Sequence, residues 1–220
     1  MAVGALIASK ENIQSKWLEE ELRHAVIAFG GGALLSAVAL LLVPESIDNL
    51  SVQASAFSFL SGGLVFAFLD VKSQQTGGSA SNLVAMFADF LPEALALGAS
   101  CAVGGEAALA VAILIGLQNL PEGFNTYREI TNSGGSGKKV ILSLAALSLL
   151  GPVFGLLGYY YLGHQPEILS VIMLFASGGI LYLVFQDIAP QAKLEKTWRP
   201  ALGAVLGFLL GLVGHIMTQG

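Results

Sequence analysis

The chain has 220 residues, of which 55% are hydrophobic and only 11% charged, with 27 glycines and a formal net charge of −5. Soluble domains carry about 25% charged residues, so this composition excludes an ordinary soluble domain and points to a membrane protein of several spans, with the lipid bilayer rather than nucleic acid as its surroundings. The single cysteine, Cys101, excludes an internal disulfide and any multi-thiolate metal site.

In chain order, residues 1–9 form a small-residue apolar stretch, too short to span and without the basic start of a signal peptide. They read as the tail of a longer helix. Residues 10–24 are charged and helix-prone and are expected on the cytoplasmic face. Apolar segments then run near 24–43, 53–71, 82–103, 107–127, 140–162, 168–189 and 200–217. Each approaches the roughly 20 residues needed to cross the hydrocarbon core, and none shows the polar stripe of a soluble helix. Between the fourth and fifth, Thr131 to Gly137 is rich in Gly and Ser and reads as a flexible loop. The expected fold is all-α, a polytopic membrane helix bundle of about seven spans. Residues 1–220 then form a single transmembrane domain, with 1–23 as a cytoplasmic N-terminal segment and 24–217 as the bundle.

The positive charges fix an orientation. Lys10, Lys16, Arg23, Lys72, Arg128, Lys138, Lys139, Lys193, Lys196 and Arg199 all fall before span one or after spans two, four and six. Lys and Arg favour the cytoplasmic side of short loops. The N-terminus is therefore expected inside and the C-terminus outside, in a protein integral to the plasma (inner) membrane. The histidines His24, His164 and His215 fall at or near span ends, where interfacial or packing roles are expected.

Two segments 146 positions apart resemble each other. Phe29, Gly32, Leu35, Val38 and Pro44 recur as Phe175, Gly178, Leu181, Val184 and Pro190. By the charge argument the first runs outward and the second inward, so an inverted repeat is expected, the architecture that supports alternating access.

The polar residues inside the membrane are few and clustered. Asp89-Phe90-Leu91-Pro92-Glu93 lies in span three, and Gln118-Asn119-Leu120-Pro121-Glu122 in span four. Ionisable groups at that depth are expensive and usually serve a partner or a water-filled path, and each proline frees a carbonyl one turn earlier. Asp89 and Glu93 share one helical face, as do Gln118 and Glu122. Counted from the cytoplasmic ends at 1.5 Å per residue, Asp89 lies about 10 Å deep, Glu122 about 8 Å, and Glu93 and Gln118 both about 15 Å. Three carboxylates so close cannot all be charged without a cation, and oxygen ligands suit a hard or borderline divalent ion. Asn119 points about 100° from Gln118, which leaves both a second-site role and a helix–helix hydrogen bond open. Gln186 and Asp187, about one turn from the cytoplasmic end of span six, are candidates for an exit path, with a snorkelling end residue as the alternative for Asp187.

The string Gly116-Leu117-Gln118-Asn119-Leu120-Pro121-Glu122-Gly123 closely resembles the fifth-helix signature of ZIP divalent-metal transporters. Asp89 to Glu93 resembles the fourth-helix signature, and the segments around Pro44 and Pro190 resemble the second and seventh helices. The similarity runs from about residue 23 to the C-terminus, and residues 1–22 look like the end of a first helix, most of which is absent, and its loop. The resemblance implies uptake of zinc, iron, manganese or a similar ion into the cytoplasm, as transported substrate rather than cofactor, often by a homodimer. It places Asp89, Glu93, Gln118 and Glu122 at the primary metal site and Asn119 at a second-site position. Phe90 replaces the usual Asn, Gly151 stands where two-metal members carry a glutamate, and Gln186-Asp187 occupies a His/Glu-type pair. The second site therefore looks dismantled. The competing readings are a transport-incompetent relative with a structural or regulatory role and, more remotely, an intramembrane hydrolase. No His-Glu-x-x-His pattern supports the hydrolase.

Overall fold

The computed structural model describes residues 1–10, 16–76, 80–103, 107–192 and 197–219. Eight helices account for nearly all of them: α1 (Ala2–Lys10), α2 (Lys16–Ala37), α3 (Val52–Thr76), α4 (Ala80–Val103), α5 (Ala107–Asn132), α6 (Gly137–Leu157), α7 (Pro166–Leu183) and α8 (Arg199–Gln219). Helices α2, α6 and α7 each continue into a wider π-helical turn: Val38–Leu42, Gly158–Leu162 and Val184–Ile188. There is no strand among the described residues.

The chain is thus an all-α polytopic membrane bundle. Among the described residues, Glu21–Ile47, Val52–Lys72, Gly137–Leu162, Pro166–Ala192 and Arg199–Met217 are long and apolar enough to cross a membrane. The remaining two predicted spans coincide with α4 and α5, which run unbroken through Pro92 and Pro121. Exposed tyrosines Tyr159, Tyr160 and Tyr161 gather at one end of α6, and exposed Trp198 precedes α8. Such aromatic residues suit the two membrane–water boundaries.

Of the N-terminal segment expected on the cytoplasmic side, α1 packs inside the bundle. Gly4 lies against the backbone of Leu120 and Phe124, and Gly123 against Met1. Ala5 is buried in a cluster with Ile130, Val140, Leu144 and Leu147. The loop expected from Thr131 onward is shorter than its composition suggested. Helix α5 runs to Asn132 and closes with Gly134 N–H on the Thr131 carbonyl and Gly135 N–H on the Ile130 carbonyl. Gly134 takes a φ of 87°, which a side chain would disfavour, so glycine is required at this cap.

Glycine also sets how the long helices meet. Where a Cβ on Gly32 would fall on the Ala204 carbonyl, one on Gly178 would fall on the Phe59 carbonyl. Gly207 likewise meets Phe29, and Gly62 meets Phe175. These contacts hold α2 to α8 and α3 to α7. Gly98 meets Gly155 and Gly158 meets Leu95, holding α4 to α6 as Gly4 and Gly123 hold α1 to α5. Only glycine permits backbones this close, and in lipid such packing replaces the hydrophobic drive that water would supply.

The contacts repeat in a fixed register. Phe29 and Gly32 correspond to Phe175 and Gly178, and Ala204 and Gly207 to Phe59 and Gly62. A pseudo-twofold therefore exchanges α2 with α7 and α3 with α8; the second set exchanges α1 with α6 and α4 with α5. The π-helical turns obey the same register. Val43 N–H reaches back five residues to the Val38 carbonyl, and Ala189 N–H to the Val184 carbonyl, just before Pro44 and Pro190. A wider turn accommodates a proline ring that would clash with a carbonyl one α-turn earlier. The expected internal repeat is present in the fold. Short connections make successive helices alternate in direction, so its two halves are inverted.

Candidate functional site

Helices α4 and α5 occupy the centre of this pseudo-symmetry. A core of Leu34, Val38, Leu42, Met173, Ala176, Ile180 and Val184 joins α2 to α7, and Ala96 of α4 packs into it. Buried serines in this region satisfy themselves locally: Ser36, Ser46 and Ser177 donate to the carbonyls of Ala33, Leu42 and Met173. They fit an apolar interior for that reason.

One turn before Ala96, Glu93 is only 3% exposed, and its neighbours Pro92 and Ala94 are also buried. On α5, Asn119 is 6% exposed and Pro121 is buried, while Glu122 is half-buried. The Asn119 amide donates to the Ile115 carbonyl at 2.7 Å. Its Oδ1 is buried without a hydrogen-bond partner, as is Oδ1 of Asn125. A buried, unsatisfied carbonyl oxygen costs about 1–3 kcal/mol, and a cation would satisfy it. The side chains of Asp89 and Gln118 lie outside the described residues. Among the described residues no three His, Cys, Asp or Glu side chains are arranged to hold a metal ion.

Backbone register adds a relation that the motifs conceal. The two Pro-Glu motifs are 29 positions apart (Pro92 to Pro121), whereas the glycine contacts equate Leu95 with Leu120 and Gly98 with Gly123, a shift of 25. The difference is about one helical turn. It is Glu93 and Gln118, not Glu93 and Glu122, that the pseudo-twofold exchanges. These are the two positions whose depths agreed most closely in the sequence count.

Phe90 and Gly151 lie against each other across α4 and α6. A Cβ on Gly151 would lie 2.7 Å from Phe90 Cζ, so the Phe90 ring fills the space where a side chain at 151 would begin.

In the π-helical turn that follows α7, Asp187 is half-buried and Gln186 is exposed. Asp187 feels the charges of Asp70 on α3 and Glu129 on α5, and the Tyr182 hydroxyl donates to Asp70 Oδ2 at 2.9 Å. Asp187 therefore belongs to a polar group drawn from three helices. Sequence reading missed Asn125, Glu129, Asp70 and Tyr182. Residues 118, 122, 125 and 129 nevertheless follow a four-three-four spacing, which puts them on one face of α5.

No family model matches the chain. Over 133 residues it is 32% identical to a protein of Myxococcus xanthus described as zinc transporter GufA, the match covering 60% of this chain and 52% of that protein. The chain thus spans about half the length of the curated relative it matches.

Proposed function

We propose that this chain carries divalent metal cations, zinc foremost and iron or manganese as the alternatives, across the plasma (inner) membrane into the cytoplasm. Asp89, Glu93, Gln118, Asn119 and Glu122 would bind the ion between α4 and α5, and Asp187 with Gln186 would line its exit. The observation that carries this reading is the burial of Glu93 beside Pro92, on a helix that the pseudo-twofold exchanges with the one bearing Asn119, Pro121 and Glu122. A carboxylate at that depth needs a cation or a proton. The similarity to a zinc transporter supports the same reading. The inverted halves suit alternating access, and transport then needs no enzymatic chemistry. The N-terminus would face the cytoplasm, the C-terminus the outside, and two chains would pair as a homodimer.

The contact between Phe90 and Gly151 favours a second reading, a relative that no longer transports and serves a structural or regulatory role. Metal uptake by the purified protein in liposomes separates the two. Transport predicts uptake by the wild type and its loss in Glu93→Ala and Glu122→Ala, with both variants still folded. Wild-type liposomes that take up no metal would establish the second reading. Near-normal uptake by either variant would remove the assigned site.

A further inference from the structure

Between α2, α8 and the end of α7 lies a cavity of about 350 Å³, lined almost wholly by apolar side chains. Its walls include Ala28, Leu35, Phe185, Ile188, Ala201 and Ala204. Phe185 and Ala201 are exposed, so the cavity opens sideways out of the bundle. Thr197 stands at its end, next to Trp198, which is 70% exposed, and Arg199, whose side chain is 47% exposed. This is the basic end of α8, and the charge distribution assigns it to the cytoplasmic side.

The pseudo-twofold supplies an internal comparison. On the opposite half of the molecule, the position equivalent to Ala28 is Leu174, which is 2% exposed. The equivalent of Ala204 is Phe59, and that of Ala189, a further wall residue, is Val43. At these three positions the outer half carries the larger residue, whereas the wall residue Phe185 exchanges with the smaller Ala39 of the outer half.

We propose that this cavity holds an acyl chain of an anionic phospholipid from the cytoplasmic leaflet, with the headgroup at Arg199 and Trp198. At that depth the solvent beside the opening is hydrocarbon, so an acyl chain is the apolar molecule at hand. The volume falls within the range of about 300–1,000 Å³ common for small-ligand sites. The cytoplasmic leaflet of a membrane carries negative charge, which favours basic residues at its surface. Arg199 Nη1 already lies 3.5 Å from Glu21, and the Thr197 hydroxyl donates to the same carboxylate at 3.3 Å. A guanidinium has five donors and can bridge a carboxylate and a phosphate.

The test uses the full chain in nanodiscs holding phosphatidylglycerol and phosphatidylcholine of matched acyl chains, followed by gentle extraction and mass measurement of protein with bound lipid. The wild type should retain phosphatidylglycerol preferentially. Ala28→Leu with Ala204→Phe, which copies the outer half, should lower retention by about tenfold or more. Ala201→Phe, at an exposed wall position that tolerates bulk, should do the same if the double variant fails to fold. Arg199→Gln should keep a lipid but lose the headgroup preference. Equal retention by wild type and Ala201→Phe would overturn the proposal, as would a wild type indifferent to headgroup. So would a dimer that Ala201→Phe converts to monomer with lipid unchanged, because the occupant would then be a second copy of the chain.

Discussion

Replacing Gly151 by Ala should destabilise the protein, and removing the Phe90 ring should reverse the sign of that effect. In the native bundle the new methyl group would lie 2.7 Å from Phe90 Cζ, well inside van der Waals contact. The ring has little room to retreat, because Phe90 packs on the cluster of Ala5, Ile130, Val140, Leu144 and Leu147. Overpacking of this kind costs about 1–3 kcal/mol. Phe90→Ala alone should cost less than the roughly 3–5 kcal/mol of a fully buried Phe, since Phe90 is only partly buried. With the ring gone the methyl group fits, and Ala in a helix interior gains about 0.5–1 kcal/mol over Gly. Gly151→Ala should therefore be neutral or stabilising in the Phe90→Ala background, and the double-mutant cycle should show coupling of about 1–3 kcal/mol. Thermal unfolding of the four proteins in one detergent reads this directly. Additive shifts, or a stabilising Gly151→Ala in the native background, would refute the claim that Phe90 occupies the space above Gly151. On the proposed transport reading, the same geometry means that Gly151→Glu alone would not create a second metal site. Gly151→Glu with Phe90→Asn should raise bound metal from one to two ions per protomer by elemental analysis, whereas Gly151→Glu alone should only destabilise.

Three further outcomes follow from the packing and the proposed ligand set. Gly98→Ala should destabilise by about 1–3 kcal/mol or more, because its methyl group would fall on the Gly155 carbonyl, whereas Gly116→Ala, which faces open space, should be neutral or slightly stabilising; equal unfolding midpoints would sink the glycine-lock reading. An oxygen-ligand site should discriminate weakly among zinc, manganese, cadmium and iron, and Asp89→His should shift preference toward zinc by adding a nitrogen ligand. Metal must displace any proton shared by Asp89, Glu93 and Glu122, so affinity should fall as pH falls, and competition uptake at several pH values that shows no pH dependence would contradict this.

The sequence made the repeat legible for a physical reason. Phe29, Gly32 and Pro44 recur because the bundle places special demands on those positions: close backbone approach at Gly32 and Gly178, and a π-helical turn before Pro44 and Pro190. Residues with such roles cannot drift freely, so their echo survives at the level of single letters. The other exchange, α4 with α5, is harder to read because its two clearest strings obey different constraints. Pro92-Glu93 and Pro121-Glu122 match as text, yet the backbone contacts of Gly98 and Gly123 set a register one turn away. A motif records what a segment binds, whereas a packing glycine records where the segment sits, and here the two disagree. The place of α1 was hidden for a related reason. A nine-residue stretch of small residues has no periodic stripe to read, and its burial depends on the glycine face that α5 presents to it. The Phe90–Gly151 contact shows what one sequence can and cannot convey about a site. The two residues lie 61 positions apart, and nothing in the string links them. Only the packing of α4 on α6 shows that one large and one absent side chain fill a common space. The ring at 90 and the missing side chain at 151 then form one steric unit rather than two independent choices.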